Sequence, residues 1–431
     1  MTTTNPETDV AAVQRHTTRV LMATVGAAGM GMAGGYSGTS LAAQDMTNSD
    51  GWATFAATMI SVGGAIATVP LARYMANHGR RPGLAWGWTF AFAGAVLAFF
   101  AVVIEFYPLL VIGVLGIGVG NGTNLAARYT AADLALPERR ARAIGILVWA
   151  ASIGSVLGPT VALGPTGWVA EQMGLAELAG PYLLGMVVFS GAAVFVHLNL
   201  RPDPLLLARE LEGEEARLAK RPSLVESFSK LFRHRPAALA VAAMAVGQAV
   251  MAAVMTVTPL HMNDGAHEKQ IIGLVISLHI VGMYFFAPLV GWLVDRLPAN
   301  VMVAAAGITL FFGGEVASHT DPEDSLGVFV GLFLVGLGWS FAMISGSALL
   351  TSAFPAHERA SVQGAADFTM VAAGALASLA SGVIVELFSF HALSHWAAIV
   401  SLSLVAAALY PVVIRTKPTP APSPLRSSPR R

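Results

Sequence analysis

Long apolar runs, separated by loops whose basic residues fall almost wholly on every second loop, constrain this chain more than any other feature. About twelve runs of roughly 20–28 residues can be threaded, each long enough to cross a hydrocarbon layer as a helix. They cover approximately residues 19–43, 52–76, 82–104, 107–135, 139–162, 180–199, 237–261, 270–297, 300–318, 326–354, 358–386 and 391–413. With the N-terminus placed inside, all but two of the 25 Lys and Arg lie on inner segments. The exceptions are Lys269, on the outer side, and Arg128, within a span. Lys and Arg translocate poorly, so this bias predicts that both termini are cytoplasmic.

Composition narrows the class further. Hydrophobic residues are 55% of the chain and charged residues 12%, unlike a soluble domain. Open sheets cannot cross lipid, and a barrel would show short alternating segments, so the runs predict a helical bundle. The absence of cysteine excludes disulfides, thiolate metal sites and thiol catalysis. The net charge of zero is sorted by membrane side rather than pooled into a basic patch, which gives no support for nucleic-acid binding. Residues 1–17 are polar and include Glu7 and Asp9, so the first span itself is read as the insertion signal.

The chain repeats internally. A shift of about 220 lays Gly116 and Gly118 on Gly336 and Gly338, and Glu138-Arg139 on Glu358-Arg359. A shift of 219 lays the loop at Gly79 on the loop after Asp295-Arg296. The period equals six spans, which predicts an all-α membrane protein of twelve transmembrane helices in two pseudo-symmetric six-helix bundles, with a cavity between them near the midplane. The expected layout is a cytoplasmic N-terminus (1–18), a first bundle (19–199), a cytoplasmic linker (200–236), a second bundle (237–414) and a disordered cytoplasmic tail (415–431). Leu205 to Lys220 mixes acids, bases and apolar residues at helical spacing, consistent with an amphipathic surface helix or a solvated linker.

Residues 145–159, GILVWAASIGSVLGP, place Gly145, Gly154, Gly158 and Pro159 on the fifth span, a small-residue stripe that ends in a bend. This spacing resembles the fifth-helix antiporter motif of the major facilitator superfamily, with Ala162-Leu163 where that motif ends in two glycines. A second resemblance is the superfamily's loop signature. In the first half Gly79, Arg80 and Arg81 fit it, while Ala72, Ala76 and Asn77 stand at its Gly, Asp and Arg positions. In the second half Gly291, Asp295 and Arg296 fit. The resemblance implies a charge–dipole lock on the outward-facing state, with Asp295 able to supply part of it. For Asp295 and Arg296 a gate role is favoured over substrate contact.

Polar residues inside the spans are the remaining candidates. Asn121, Asn124 and Arg128 share one helical face, and Arg128 lies roughly 13 Å inside the span, counting from Pro137. An intramembrane arginine faces either a water-filled cavity or a paired acid, so a transport role and a structural ion pair both fit. Asp133 lies nearer the inner surface, where pairing with Arg80 or Arg81 fits better than proton carriage. Asp367 and Gln363 stand on the eleventh span, Asp367 about 12 Å past Arg359, where a lone carboxyl suits either reversible protonation or a structural hydrogen bond. His279 is a further titratable group at mid-membrane depth, for which a single structural hydrogen bond is the commoner case.

His261, Asp264 and His267 cluster in one short outer segment without regular ligand spacing, so a solvated turn is preferred to a metal site. No glycine-rich loop ends in Lys-Ser/Thr, so ATP-driven transport is disfavoured, and no catalytic constellation points to an enzyme. No cofactor or metal is expected. The resemblance implies a secondary transporter of a bacterial inner membrane, with protons and a small-molecule substrate as partners. Its fifth-helix motif implies proton-coupled export of a small amphipathic organic molecule; nutrient uptake by symport or facilitated diffusion is the rival.

Overall fold

The computed structural model describes residues 9–214, 219, 222–265 and 269–413. All regular structure among them is helical. The first half holds α1 (Val10–Thr47), α2 (Asp50–His78), α3 (Arg80–Val103), α4 (Tyr107–Thr130), α5 (Arg140–Leu163), α6 (Pro165–Gln172) and α7 (Gly180–Asn199). Two short helices follow, α8 (Pro204–Leu211) and α9 (Leu224–Arg233). The second half holds α10 (Arg235–Asp264), α11 (Lys269–Tyr284), α12 (Ala287–Arg296), α13 (Ala299–Ser318), α14 (Ser325–Ala353), α15 (Ala356–Leu387) and α16 (Phe390–Val413).

Eleven helical segments among the described residues are long and apolar enough to span a membrane. The twelfth span is α1, whose apolar character is diluted by Gly, Thr and Ser, but whose 38 residues pack along α5 and α7. Together they make an all-α membrane protein of twelve spans in two six-helix bundles. In the first bundle α1 packs on α5 and α7, and α4 on α2 and α3; in the second, α10 packs on α15 and α14, and α13 on α14 and α16. Glycine permits the closest crossings. A Cβ on Gly63 would lie 2.1 Å from the Leu115 carbonyl oxygen, and one on Gly118 2.2 Å from that of Ile60, so α2 and α4 touch backbone to backbone. Large apolar side chains such as Ile66, Phe90, Val187 and Leu376 stay exposed on the outer surface, as a lipid-facing wall requires.

Four details depart from the sequence reading, the first being that the opening span starts at Val10 rather than 19. The fourth span ends at Thr130 rather than 135, because the chain turns there and carries Asp133 inward. The eighth span is two helices, α11 and α12, since Pro288 has no N–H to continue the ladder of the preceding turn. The expected linker helix is interrupted: α8 stops at Leu211 and Gly213 follows at φ 103°, while residues 215–218 and 220 lie outside the described residues. Its partner α9 opens with a capping box, the Ser223 side chain accepting from the Glu226 amide and Glu226 accepting from the Ser223 amide. The expected disordered tail, 415–431, lies outside the described residues.

The bundles meet chiefly through α2 against α15 and α5 against α12. Both contacts lie in the half of the molecule that carries the linker. A Cβ on Gly364 would fall 2.1 Å from the Ala72 Cβ, and one on Gly145 would fall 2.3 Å from the Ala287 carbonyl oxygen. Toward the opposite side the same helices part around a cavity.

Candidate functional site

The cavity holds about 560 Å³ and is lined by α1, α2, α4, α5, α10, α11, α14 and α15. Thr54 and Thr58 of α2 and Ser378 and Leu379 of α15 line its walls toward the side away from the linker. Asn121, Asn124 and Arg128 of α4 all reach it, as their shared face requires. Gln248 stands opposite them and accepts a hydrogen bond from the Trp339 indole N–H at 2.8 Å. Tyr284 packs edge-on against Trp339 with ring centroids 5.6 Å apart. Arg128 is the one charged side chain among the described lining residues.

Beneath that floor the charge of Arg128 is met from the other bundle. Its Nη2 lies 2.5 Å from Asp367 Oδ1, with both side chains only 4% exposed. The other two nitrogens are bonded as well: Nε donates to Ser347 Oγ at 3.0 Å, and Nη1 to the Leu125 carbonyl at 2.7 Å. The Tyr129 hydroxyl accepts from Arg128 Nη2 at 3.1 Å and donates to Asp367 Oδ1 at 3.2 Å. Partners at every guanidinium nitrogen help a buried ion pair to offset desolvation.

One helical turn earlier on the same face of α15, Gln363 receives the second arginine. Arg80 donates from Nη2 to Gln363 Oε1 at 2.6 Å, and from Nε to Asp133 Oδ2 at 2.8 Å. Arg80 and Asp133 are fully buried. The first bundle thus grips α15 through two arginines that bond Gln363 and Asp367, positions i and i+4 of that helix.

The loop residues form a separate set at the linker side. Asp295, at the end of α12, accepts from the amides of Ala141 and Arg142 at 2.9 Å each, across the bundle boundary at the start of α5. A carboxylate there complements both the free amides and the positive end of the helix dipole. Arg296 lies over the Trp292 ring, 4.0 Å from its centroid. Gly291 sits so close to α5 that a Cβ would lie 2.5 Å from the Ala141 carbonyl. Gly79 takes φ 97°, and the Arg81 amide donates to Asp203 of the linker at 2.7 Å. Gly154 and Gly158 do other work, seating α5 on α1 within the first bundle: a Cβ on Gly154 would lie 2.4 Å from the Gly26 carbonyl. Pro159 lies inside α5 just beyond them.

His279 stands apart from these groups. Its Nδ1 is 2.7 Å from the Leu332 carbonyl, between α11 and α14, and it does not line the cavity. His261 stacks on Phe390 with ring centroids 3.9 Å apart, while His267 and the Asp264 side chain lie outside the described residues. Sequence reasoning did not single out Tyr129, Ser347, Gln248 or Trp339. A polar Gln248 in the middle of an apolar run was the available signal for the last pair.

Known proteins share this architecture. The Major Facilitator Superfamily profile matches residues 20–269 and 249–431. The chain is 34% identical over 386 residues to the uncharacterized MFS-type transporter YdeG of Bacillus subtilis (strain 168), covering 90% of this chain and 88% of that one. It is 25% identical over 383 residues to the riboflavin transporter RfnT of Brucella anthropi, covering 88% and 90% respectively. Its fold is similar to that of the human organic anion transporter MFSD10 (TETRAN), with a TM-score of 0.71 at 12% identity over 92% of this chain and 99% of that one. A whole-length family match, twelve spans in two bundles and a cavity between them lead to one conclusion: the chain belongs to the major facilitator superfamily and is a multi-pass secondary transporter.

Proposed function

We propose that this transporter couples a proton to the movement of a small amphipathic organic molecule, and that the Arg128–Asp367 pair is where the two are linked. The observation that carries this reading is the position of the pair, at the floor of the cavity and across the boundary that must open. With the linker in the cytoplasm, as the basic residues favour, the arrangement is outward-facing. As a carboxylate, Asp367 neutralises Arg128 and holds the inner side closed. Once protonated, it leaves Arg128 as a buried charge without a counter-ion, which costs about 3–5 kcal/mol in a closed interior. Hydration through a newly opened inner cavity relieves that cost, so protonation favours the inward-facing state. Loss of the proton inside restores the pair and drives the return.

The lining supports an uncharged or weakly polar solute. Asn121, Asn124 and Gln248 line the same cavity as Trp339 and Tyr284, and the described lining holds no carboxylate to receive a cation. Export is the direction favoured by the fifth-helix glycine pattern, and it suits a cycle in which proton entry resets the protein. Uptake of a planar, amide-bearing compound is the second reading, favoured by the amide and aromatic lining and by the relative named as a riboflavin transporter. Accumulation of a panel of labelled compounds in cells with and without the protein tests both. Lower accumulation that a protonophore restores supports export; higher accumulation that a protonophore abolishes supports uptake. No protonophore effect on any transported compound contradicts proton coupling.

A further inference from the structure

The two halves do not latch in the same way. In the second half, Asp295 reaches from α12 to the free amides at the start of α5. The internal repeat puts Ala76 at the matching place in the first half, so that half has no carboxylate for the start of α15. The start of α15 is nevertheless capped. Both carboxylate oxygens of Glu212, just beyond α8, accept from the Ala356 amide, at 2.8 and 3.1 Å. Glu212 also pairs with Arg359 Nη2 at 3.4 Å. Beside it, Arg209 donates from Nη1 to the Ala76 carbonyl at 2.9 Å and from Nε to that of Ala356 at 3.5 Å. Arg209 is 2% exposed, so this contact is built into the closed interface.

We infer that Glu212 is a positioning residue of the transport cycle: it supplies from the linker the carboxylate that the first-half loop lacks, and with Arg209 it clasps the end of α2 to the start of α15 while the linker side is closed. The other end of α8 is tied to the first half. Asp203 accepts from the Arg81 amide at 2.7 Å and from the Leu205 and Leu206 amides at 3.0 and 3.2 Å. A helix anchored on one bundle and latched to the other must release Glu212 when the bundles part. The linker is then a gate element as well as a tether, on the very half whose loop signature is incomplete.

The inference rests on the alternation of the two halves but not on the coupling role of Asp367, and its test needs neither substrate nor proton gradient. The chain has no cysteine, so a single introduced thiol reports access cleanly. Thr68→Cys lies buried at the α2–α15 contact and reports inner opening; Thr58→Cys lines the cavity and reports outer opening. Glu212→Gln is expected to raise the inner labelling rate and lower the outer one by roughly five- to tenfold, the size of a partly buried charge–dipole contact. Ala76→Asp in the Glu212→Gln background is expected to return both rates toward wild type, which a merely structural loss would not allow. Unchanged rates at both thiols in a Glu212→Gln protein of normal expression and melting temperature would overturn the inference. So would a lowered melting temperature with the ratio of the two rates unmoved.

Discussion

Arg128 of α4 and Asp367 of α15 come from different bundles, yet Nη2 and Oδ1 are 2.5 Å apart beneath the cavity floor. No other ion pair among the described residues joins the two bundles so close to the cavity. On the proposed reading this pair both closes the inner side and carries a removable charge, and so links proton binding to conformation through a single bond.

Truncating one partner isolates the other. Arg128→Ala leaves Asp367 buried without its cation and is expected to cost about 3–5 kcal/mol. Flux should be lost in that variant and kept in part by Arg128→Lys. The double variant Arg128→Ala/Asp367→Asn removes both charges and should recover most of the melting temperature while remaining inactive. Thermal unfolding and flux, measured on the same preparations, check this; wild-type flux in Arg128→Ala at normal expression contradicts it.

The second arginine behaves differently. Arg80 and Asp133 lie in the same bundle and should stay paired throughout the cycle, whereas the Gln363 contact must break. Gln363→Ala should therefore loosen the closed inner side while costing about 1–2 kcal/mol. Arg80→Ala, which strands a fully buried Asp133, should destabilise by about 3–5 kcal/mol. Melting temperatures together with the Thr68→Cys labelling rate separate the two outcomes.

Glycines of the fifth span should divide in the same way. A methyl group on Gly145 would meet the Ala287 backbone of the other bundle, and one on Gly154 would meet the Gly26 backbone of its own. Gly145→Ala is expected to favour the inward-open state with little loss of stability. Gly154→Ala is expected to destabilise the first bundle by about 1–3 kcal/mol through overpacking. The readouts are again inner labelling and thermal melting.

Orientation has its own check. A reporter placed in the 200–236 linker should be cytoplasmic, and one near Lys269 should face outside. Both reporters on one side would contradict the twelve-span register, and a linker reporter found outside would contradict the outward-facing assignment.

The spans were legible because each apolar run is long and each loop short, and the described helices begin and end close to the expected limits. The first helix departs most, starting at Val10 where polar residues gave no apolar signal, and the fourth stops short at Thr130. Arg128 and Asp367 each stood out alone as costly groups inside a span. Their pairing was not legible, since helical spacing says nothing about a partner 239 positions away. Asp133 was easier to place, because it and Arg80 share an inner loop level, and the structure has them bonded at 2.8 Å. The role of Glu212 was hidden in a run of mixed charges that also fits a solvated helix. Only the fold shows that its carboxylate meets the start of α15.

The most direct test of the central claim is Asp367→Asn in proteoliposomes, with a transported compound and an imposed pH gradient. Asparagine stands in for the protonated carboxyl and cannot release a proton. Proton-driven accumulation should vanish, while exchange of labelled for unlabelled substrate across the membrane should persist. An Asp367→Asn protein that still moves substrate uphill on a pH gradient would contradict the account.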